Sequence, residues 1–356
     1  MPPTVHVIYA HGARISTPDA IGRKLGEHLA RRFPVRLYPF NHPHAIVPAP
    51  GDVLLGYPDA AAWSPFKRSL AHPDWGRRLA IAPYTHGDLA QVAFLDRVLP
   101  QCDRFLAITG HYWFSTTAGS PCAHWLPRMV HLDLAVERAD FPSLARTFNP
   151  AGRRRFLYIG HDGWYKNMGY LAALARSLPP GTVAWAGRGK RSWPGLSEVG
   201  FHDFATPAGR AVLADFDFLI TVGRADANPT TVLEAMAWGL VPVCTPQSGY
   251  DDEAGVVNVP LDDLAGALAV LNRLQTTEES ELRARQASNS GRLATHFHWE
   301  RFAEQVAAAI AAADRPALLP RAIANRLRMR WAEVTSPWSF LRFQNFRRAL
   351  KRRLSG

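Results

Sequence analysis

Two carboxylates and a run of backbone amides come together in one stretch of this chain, Gly223-Arg-Ala-Asp-Ala-Asn-Pro-Thr-Thr-Val-Leu-Glu-Ala-Met-Ala-Trp-Gly239. It reads as a loop that opens a helix. Asn228 can cap with its side-chain oxygen, and Pro229 suits the first helical position, where an N–H would go unbonded anyway. Gly239 ends the helix, and Leu240-Val-Pro-Val-Cys-Thr245 follows as a buried strand. The amides of Thr230 and Thr231 have no carbonyl one turn before them, so with the helix dipole they form a site for a phosphate or another anion. Helical side chains tilt toward the N-terminus, which lets Glu234 reach back to that end, and Asp226 stands in the loop just before it. Two carboxylates therefore flank one anion site.

The stretch resembles the nucleotide-sugar motif of the retaining glycosyltransferases of family 4, which have the GT-B fold, two Rossmann-like doubly wound domains facing a central cleft. In that motif a Glu, seven intervening residues and a second Glu precede an Ala-Met-Ala-x-Gly helix end and a strand. Here Asp226 takes the first acidic position and Glu234 the second. The resemblance implies that Glu234 holds the ribose hydroxyls of the nucleotide. It also implies that Asp226, with the turn Asn228, Pro229, Thr230 and Thr231, meets the donor sugar, although Asp in place of Glu shortens the reach by one methylene.

A second family element is Gly-Arg followed five residues later by Lys, both cations lying on the donor diphosphate. Lys166 matches the lysine, and His161 occupies the arginine position. A lysine supplies a point charge with three donors. His161 supplies charge only when protonated, and a neutral N–H otherwise. Val199-Gly-Phe201-His202 falls where the family holds the nucleotide base. Tyr84-Thr-His86-Gly-Asp88 looks like the family's Thr-x-His-Gly element, whose His lies beside the transferring sugar; as an isolated residue, His86 suits a loop or core place equally. Gly12, where a first strand turns toward a helix, either lets the donor phosphates approach the backbone or makes an ordinary tight turn.

These residues need a scaffold of strands that end in loops. Thr4 to Ala10, Val35 to Tyr38, Asp52 to Gly56, Arg78 to Pro83 and Arg104 to Thr109 read as buried strands, with helical stretches such as Leu89 to Leu99 between some of them. Phe156 to Ile159 and Phe218 to Val222 repeat the pattern further along, and Val183 to Lys190 ends another strand in a basic glycine turn. Alternation of this kind implies α/β architecture with parallel sheets whose ligands collect at the carboxyl ends of the strands. His111, Tyr112 and Trp113 either face an acceptor or pack. His131 to Pro142 resembles the family's interdomain connector. The expected divisions are an acceptor-side domain over 1–145, a nucleotide-sugar domain over 146–315 that closes with the amphipathic run Trp299, Phe302, Val306 and Ile310, and a basic helical tail over 316–356.

Composition bounds the function. The chain has 356 residues, 47% apolar and 20% charged, with no apolar run near the ~18 residues of a membrane span. Its three cysteines show no CxxC spacing, so they support neither a disulfide framework nor a zinc site and fit a reducing cytosol. The formal charge of +11 is concentrated at one end: from Pro316 onward ten basic residues face the single acid Glu333, which leaves only +2 for the first 315 residues. In the last part, Phe343, Phe346, Leu350 and Leu354 recur at helical spacing among arginines, as in a helix that lies on an anionic membrane surface. Arg321 to Arg330 is expected to fold back on the first domain.

The resulting expectation is transfer of a glycosyl group from a nucleotide-sugar to a carbohydrate or lipid-linked acceptor hydroxyl, with retention, on the inner face of the cytoplasmic membrane, in cell-surface polysaccharide or glycolipid synthesis. The resemblance implies no metal and no cofactor apart from the donor substrate. Nucleic acid is not an expected partner, because the basicity is localised and not interleaved with aromatics in the domains. The alternatives are a non-catalytic nucleotide-sugar-binding protein and a GT-B epimerase or inverting transferase.

Overall fold

Short β-branched runs alternate with amphipathic helices along most of the chain. The computed structural model describes residues 2–12, 17–59, 64–144, 147–189 and 191–335 and divides them into two α/β units. The basic helix expected over 336–356 lies outside the described residues. One unit comprises the residues up to Thr109, Phe114–Leu132 and those from Trp299 onward; the other comprises Gly110–Trp113 and Asp133–His298.

Up to residue 132 the elements are β1 (Val5–Ile8), α1 (Thr17–Leu29), β2 (Val35–Tyr38), β3 (Val53–Gly56), α2 (Pro65–Ser69), β4 (Arg77–Pro83), α3 (Leu89–Val92), β5 (Arg104–Ile108), α4 (His111–Ser115) and β6 (Met129–Leu132). The six strands form a parallel sheet in the order β2-β1-β3-β4-β5-β6. Val5 lies opposite Val35 on one side and Val53 on the other, and β1, β3 and β5 are buried along their whole length. Continuous apolar strands of this kind are what helices on both faces of a parallel sheet require. The stretch expected as one helix from Leu89 to Leu99 is instead α3 followed by 3-10 turns over Ala93–Arg97 and Leu99–Gln101.

The second unit holds β7 (Phe156–Ile159), α5 (Met168–Arg176), β8 (Val183–Ala186), β9 (Ser197–Gly200), α6 (Pro207–Leu213), β10 (Phe218–Thr221), α7 (Thr230–Trp238), β11 (Val241–Cys244), β12 (Val257–Asn258), α8 (Leu264–Thr276) and α9 (Glu279–Thr295). Its parallel sheet runs β12-β11-β10-β7-β8-β9. Phe156 stacks on Phe218 at the centre, with ring centroids 4.7 Å apart, and Tyr158, Leu171 and Val243 fill the core around them.

The last two helices among the described residues are α10 (Trp299–Ala311) and α11 (Ile323–Thr335), and both belong to the first unit. This corrects the expectation that Trp299 to Ile310 closes the nucleotide-sugar domain. Phe302, Val306 and Ile310 are buried as their spacing requires, but α10 packs on α1 and β6, and Glu300 accepts bonds from Arg31 (2.6 Å) and His28 (3.1 Å). The segment between α10 and α11 is strapped to the same unit: Pro316 O accepts from Arg128 Nε at 2.7 Å, and Leu319 N donates to His124 O at 3.1 Å. The expectation that Arg321 to Arg330 folds back on the first domain agrees with this path.

Candidate functional site

In the second unit, β8 and β9 follow β7 on one side of the sheet, while β11 and β12 follow β10 on the other. The direction of winding reverses between β7 and β10, and at such a switch point the loops at the strands' carboxyl ends part to leave a crevice for ligands. The loops that leave β7 and β10 are 160–167 and 222–229, which carry five of the residues singled out in the sequence, His161, Lys166, Asp226, Asn228 and Pro229. The two loops are joined by the backbone bond from Arg224 N to Tyr165 O at 2.8 Å.

Lys166 ends a 3-10 turn over Trp164–Lys166, and Asn167 after it adopts the left-handed conformation (φ 58) that redirects the chain into α5. The ammonium of Lys166 is ion-paired and hydrogen-bonded to Asp226 Oδ2, and the two side chains keep only 12% and 13% of their surface exposed. Desolvation, the largest influence on Lys166, pulls its pKa down, but the charge and hydrogen bond of Asp226 outweigh it and hold the group above the ordinary lysine value. The structure thus brings Lys166 and Asp226 directly together.

The Asp226 loop is held through its backbone. Asp226 N donates to Gln247 O at 3.2 Å, and the indole N–H of Trp113 is shared between Asp226 O (2.9 Å) and Gln247 O (3.0 Å). Gly110 N donates to Ala227 O at 2.7 Å, and Gln247 Nε2 donates to Tyr112 Oη at 3.0 Å. Gly110 has to be glycine here, since a Cβ on it would lie 2.0 Å from Gly249 O. Trp113 is 3% exposed, which settles the choice left open for it as packing. The sequence signalled this clasp only as aromatics following a strand end.

Asn228 is not the helix cap. Its Oδ1 accepts from Leu134 N at 2.9 Å, and its buried Nδ2 has no partner among the described residues. Pro229 takes the cap position (φ −65, ψ 122), Thr230 and Thr231 open α7 half-buried, and Gly239 stops the helix at φ 84. One turn in, burial pushes the Glu234 carboxyl up to about 7, with a hydrogen bond from Thr230 pulling it back.

His161, in the arginine position, has both ring nitrogens engaged by its own loop. Its Nδ1 accepts from Gly163 N at 2.9 Å, so the proton sits on Nε2, 3.0 Å from the Tyr165 hydroxyl. Burial, and then the charge of Lys166, lowers its pKa, so the ring is a neutral donor at pH 7. Phe201 is 60% exposed and lies under the Arg188 guanidinium at 3.9 Å from its ring centre. On the β8 flank of the 160–167 loop a pocket of about 430 Å³ is lined by Asp162, Trp164, Asn167, Arg191 and Trp193, none of them a candidate donor residue. His111, Asp251 and Asp252 bring ligand atoms within 4.8 Å of one another, a potential cation site in which His111 Nδ1 already lies 3.2 Å from Asp251 Oδ2.

His86 and Gly12 belong to the first unit. His86 follows β4, with Nδ1 3.2 Å from the buried Tyr84 hydroxyl and Nε2 3.4 Å from Thr116 Oγ1, and desolvation lowers its pKa. Gly12 N donates to Asp19 Oδ1 at 2.6 Å, so a carboxylate already occupies the amide that the resemblance offers to a phosphate.

No protein-family model and no curated protein sequence matches the chain. Solved structures do. Sucrose-phosphate synthase from Thermosynechococcus elongatus superimposes with a TM-score of 0.65 at 15% identity, covering 86% of this chain and 98% of that one. WaaG, a glycosyltransferase involved in lipopolysaccharide biosynthesis, gives 0.57 at 14%, covering 87% and 100%. Anabaena HepE, in complex with UDP and glucose, gives 0.57 at 9%, covering 87% and 99%. At such identities the likeness is one of fold, and together with the two six-stranded parallel sheets it establishes that the chain has the GT-B fold.

Proposed function

We propose that the second unit binds a nucleotide-sugar and that the protein transfers its glycosyl group to an acceptor hydroxyl with retention of configuration. The observation that carries this reading is the constellation at the β7/β10 switch point: Lys166, kept cationic by Asp226, on one loop, and the opening of α7 with Glu234 one turn in on the other. Lys166 and the first amides of α7 supply countercharge to a diphosphate, and Glu234, when ionised, accepts from ribose hydroxyls. Phe201 and its neighbours receive the base. The UDP and glucose in the HepE structure support this choice of ligand class.

In the reaction the bond from the anomeric carbon to the diphosphate oxygen breaks, and a bond from that carbon to the acceptor oxygen forms on the same face. The acceptor's proton leaves with the diphosphate. Fixed cations and helix amides stabilise the charge that develops on the leaving group, so no metal ion is required. The acceptor is a carbohydrate or lipid-linked saccharide of the cell surface. Calorimetry with uridine, guanosine and adenosine diphosphates tests the donor site: the wild-type protein is expected to bind one of them, and Lys166→Ala to weaken it by about 1.5 to 3 kcal/mol, the range for a charged hydrogen bond. Absence of binding to all three removes the reading. The anomeric configuration of the product, read by NMR, decides between retention and inversion.

A further inference from the structure

Ile323, Leu327, Trp331 and Val334 recur at spacings that place them in one stripe along α11. On a helix that serves a core such a stripe faces inward, but here it faces out: the four residues are 75%, 61%, 71% and 70% exposed. The opposite face holds the helix down. Met329 is buried there, and buried Glu333 pairs with Arg97 at 2.9 Å. At the entry to the helix, Arg321 pairs with Asp96, whose Oδ1 also accepts from His124 (2.8 Å) and Trp125 (2.9 Å). α11 packs against α3 and the 3-10 turn after it. Successive residues turn by about 100°, which sets Arg326 and Arg330 along one border of the apolar stripe and Arg328 along the other.

A docked helix that presents four large apolar side chains in a row carries a contact surface. Its borders indicate the partner. A second copy related by a two-fold axis would bring the same arginines to the interface, whereas an anionic lipid surface supplies the opposite charge. The stripe also has the make-up of an interfacial helix, with tryptophan suited to the headgroup level and long cationic side chains able to reach back to it. We propose that the outward face of α11 lies on an anionic lipid surface, with Ile323, Leu327, Trp331 and Val334 at the acyl boundary and Arg326, Arg328 and Arg330 among the headgroups. No described helix is long and apolar enough to cross a membrane, so the contact is a lying one. Each arginine adds about fivefold in affinity, and the assignment stands or falls independently of the donor site.

The test is co-sedimentation of the full chain with vesicles of about three parts phosphatidylcholine to one part phosphatidylglycerol, and with phosphatidylcholine alone. Wild-type protein is expected to bind the mixed vesicles at least about tenfold more tightly, and high salt to weaken that binding. Leu327→Ser with Trp331→Ser is expected to lower it by about tenfold or more with an unchanged melting temperature, since both side chains point away from the fold. Trp331→Phe keeps the stripe apolar and is expected to bind as wild type while losing part of the tryptophan quenching by brominated lipid. Wild-type protein that stays in the supernatant overturns the proposal. So does a double variant that sediments like wild type, because residues 336–356 then account for the binding. A wild-type dimer that the double variant converts to monomer in analytical ultracentrifugation assigns the stripe to a second copy and overturns it equally.

Discussion

A glutamate whose carboxyl titrates near 7 is destabilising above that pH and useful for the same reason. Glu234 is ordinary in the unfolded chain and raised in the folded one, so the folded state binds the proton more tightly. Stability is then full below the usual glutamate range and is lost as pH rises through it to about 7. Glu234→Gln should raise the melting temperature at pH 8, by up to about 3 kcal/mol of stability, and leave it unchanged at pH 4. On the proposed function the ionised form is the one that accepts ribose hydroxyls, so wild-type affinity for the bound nucleoside diphosphate should climb between pH 6 and 8. The glutamine variant should bind weakly throughout. Scanning fluorimetry and calorimetry at three pH values check both halves.

Asp226 has a different task at the same site. Its carboxylate sits on Lys166, and on the proposed function a sugar hydroxyl would have to compete for it. Asp226→Asn would leave the ammonium desolvated beside Tyr165 and the neutral His161, and its pKa should fall toward the working range. The ratio of wild-type to variant nucleotide affinity should therefore grow with pH from 6 to 9, because Glu234 titrates in both proteins and cancels. A ratio independent of pH would show that Asp226 does not keep Lys166 charged.

At the scale of elements, the loop that carries Asp226 is only as firm as its clasp. Trp113→Phe removes one N–H that two carbonyls share, and should cost about 1 to 3 kcal/mol of stability by denaturant titration, with activity falling further as Asp226 moves. The sequence showed α7 and its stop at Gly239, because a proline, a glycine and helical spacing are local signals. It showed β2 and β7 to the residue, since four-residue apolar or β-branched runs between turns leave little choice. It did not show β9, an edge strand of alternating burial, or the two-residue β12. Asn228 misled for a plain reason: its oxygen serves Leu134, 94 positions away, and no local rule reports such a bond. For His161 the sequence left the choice between a charged ring and a neutral N–H open, because the Gly163 amide that its Nδ1 accepts from is a feature of the loop's fold. Lys166 and Asp226 were separately legible, but their pairing was not.

Across the whole molecule, charge and connectivity are arranged at opposite ends of the chain. The net positive charge gathers in the closing 41 residues, and within the described part its arginines border α11 on a unit begun by β1. The sheet of that unit is complete at Leu132, but the helix that covers α1 and β6 arrives only with Trp299. During synthesis the second unit emerges whole while the first waits uncapped. At ribosomal speeds of about 5 to 20 residues per second the delay over roughly 170 residues is on the order of ten to thirty seconds. Chains arrested on the ribosome soon after His298 has emerged should be cut by protease within 2–132 and resist it within 133–298. In the cell, the faces of α1 and β6 that α10 covers spend that interval as nascent surface, and a chaperone that holds them until α10 appears would protect the one half of the protein that translation leaves unfinished.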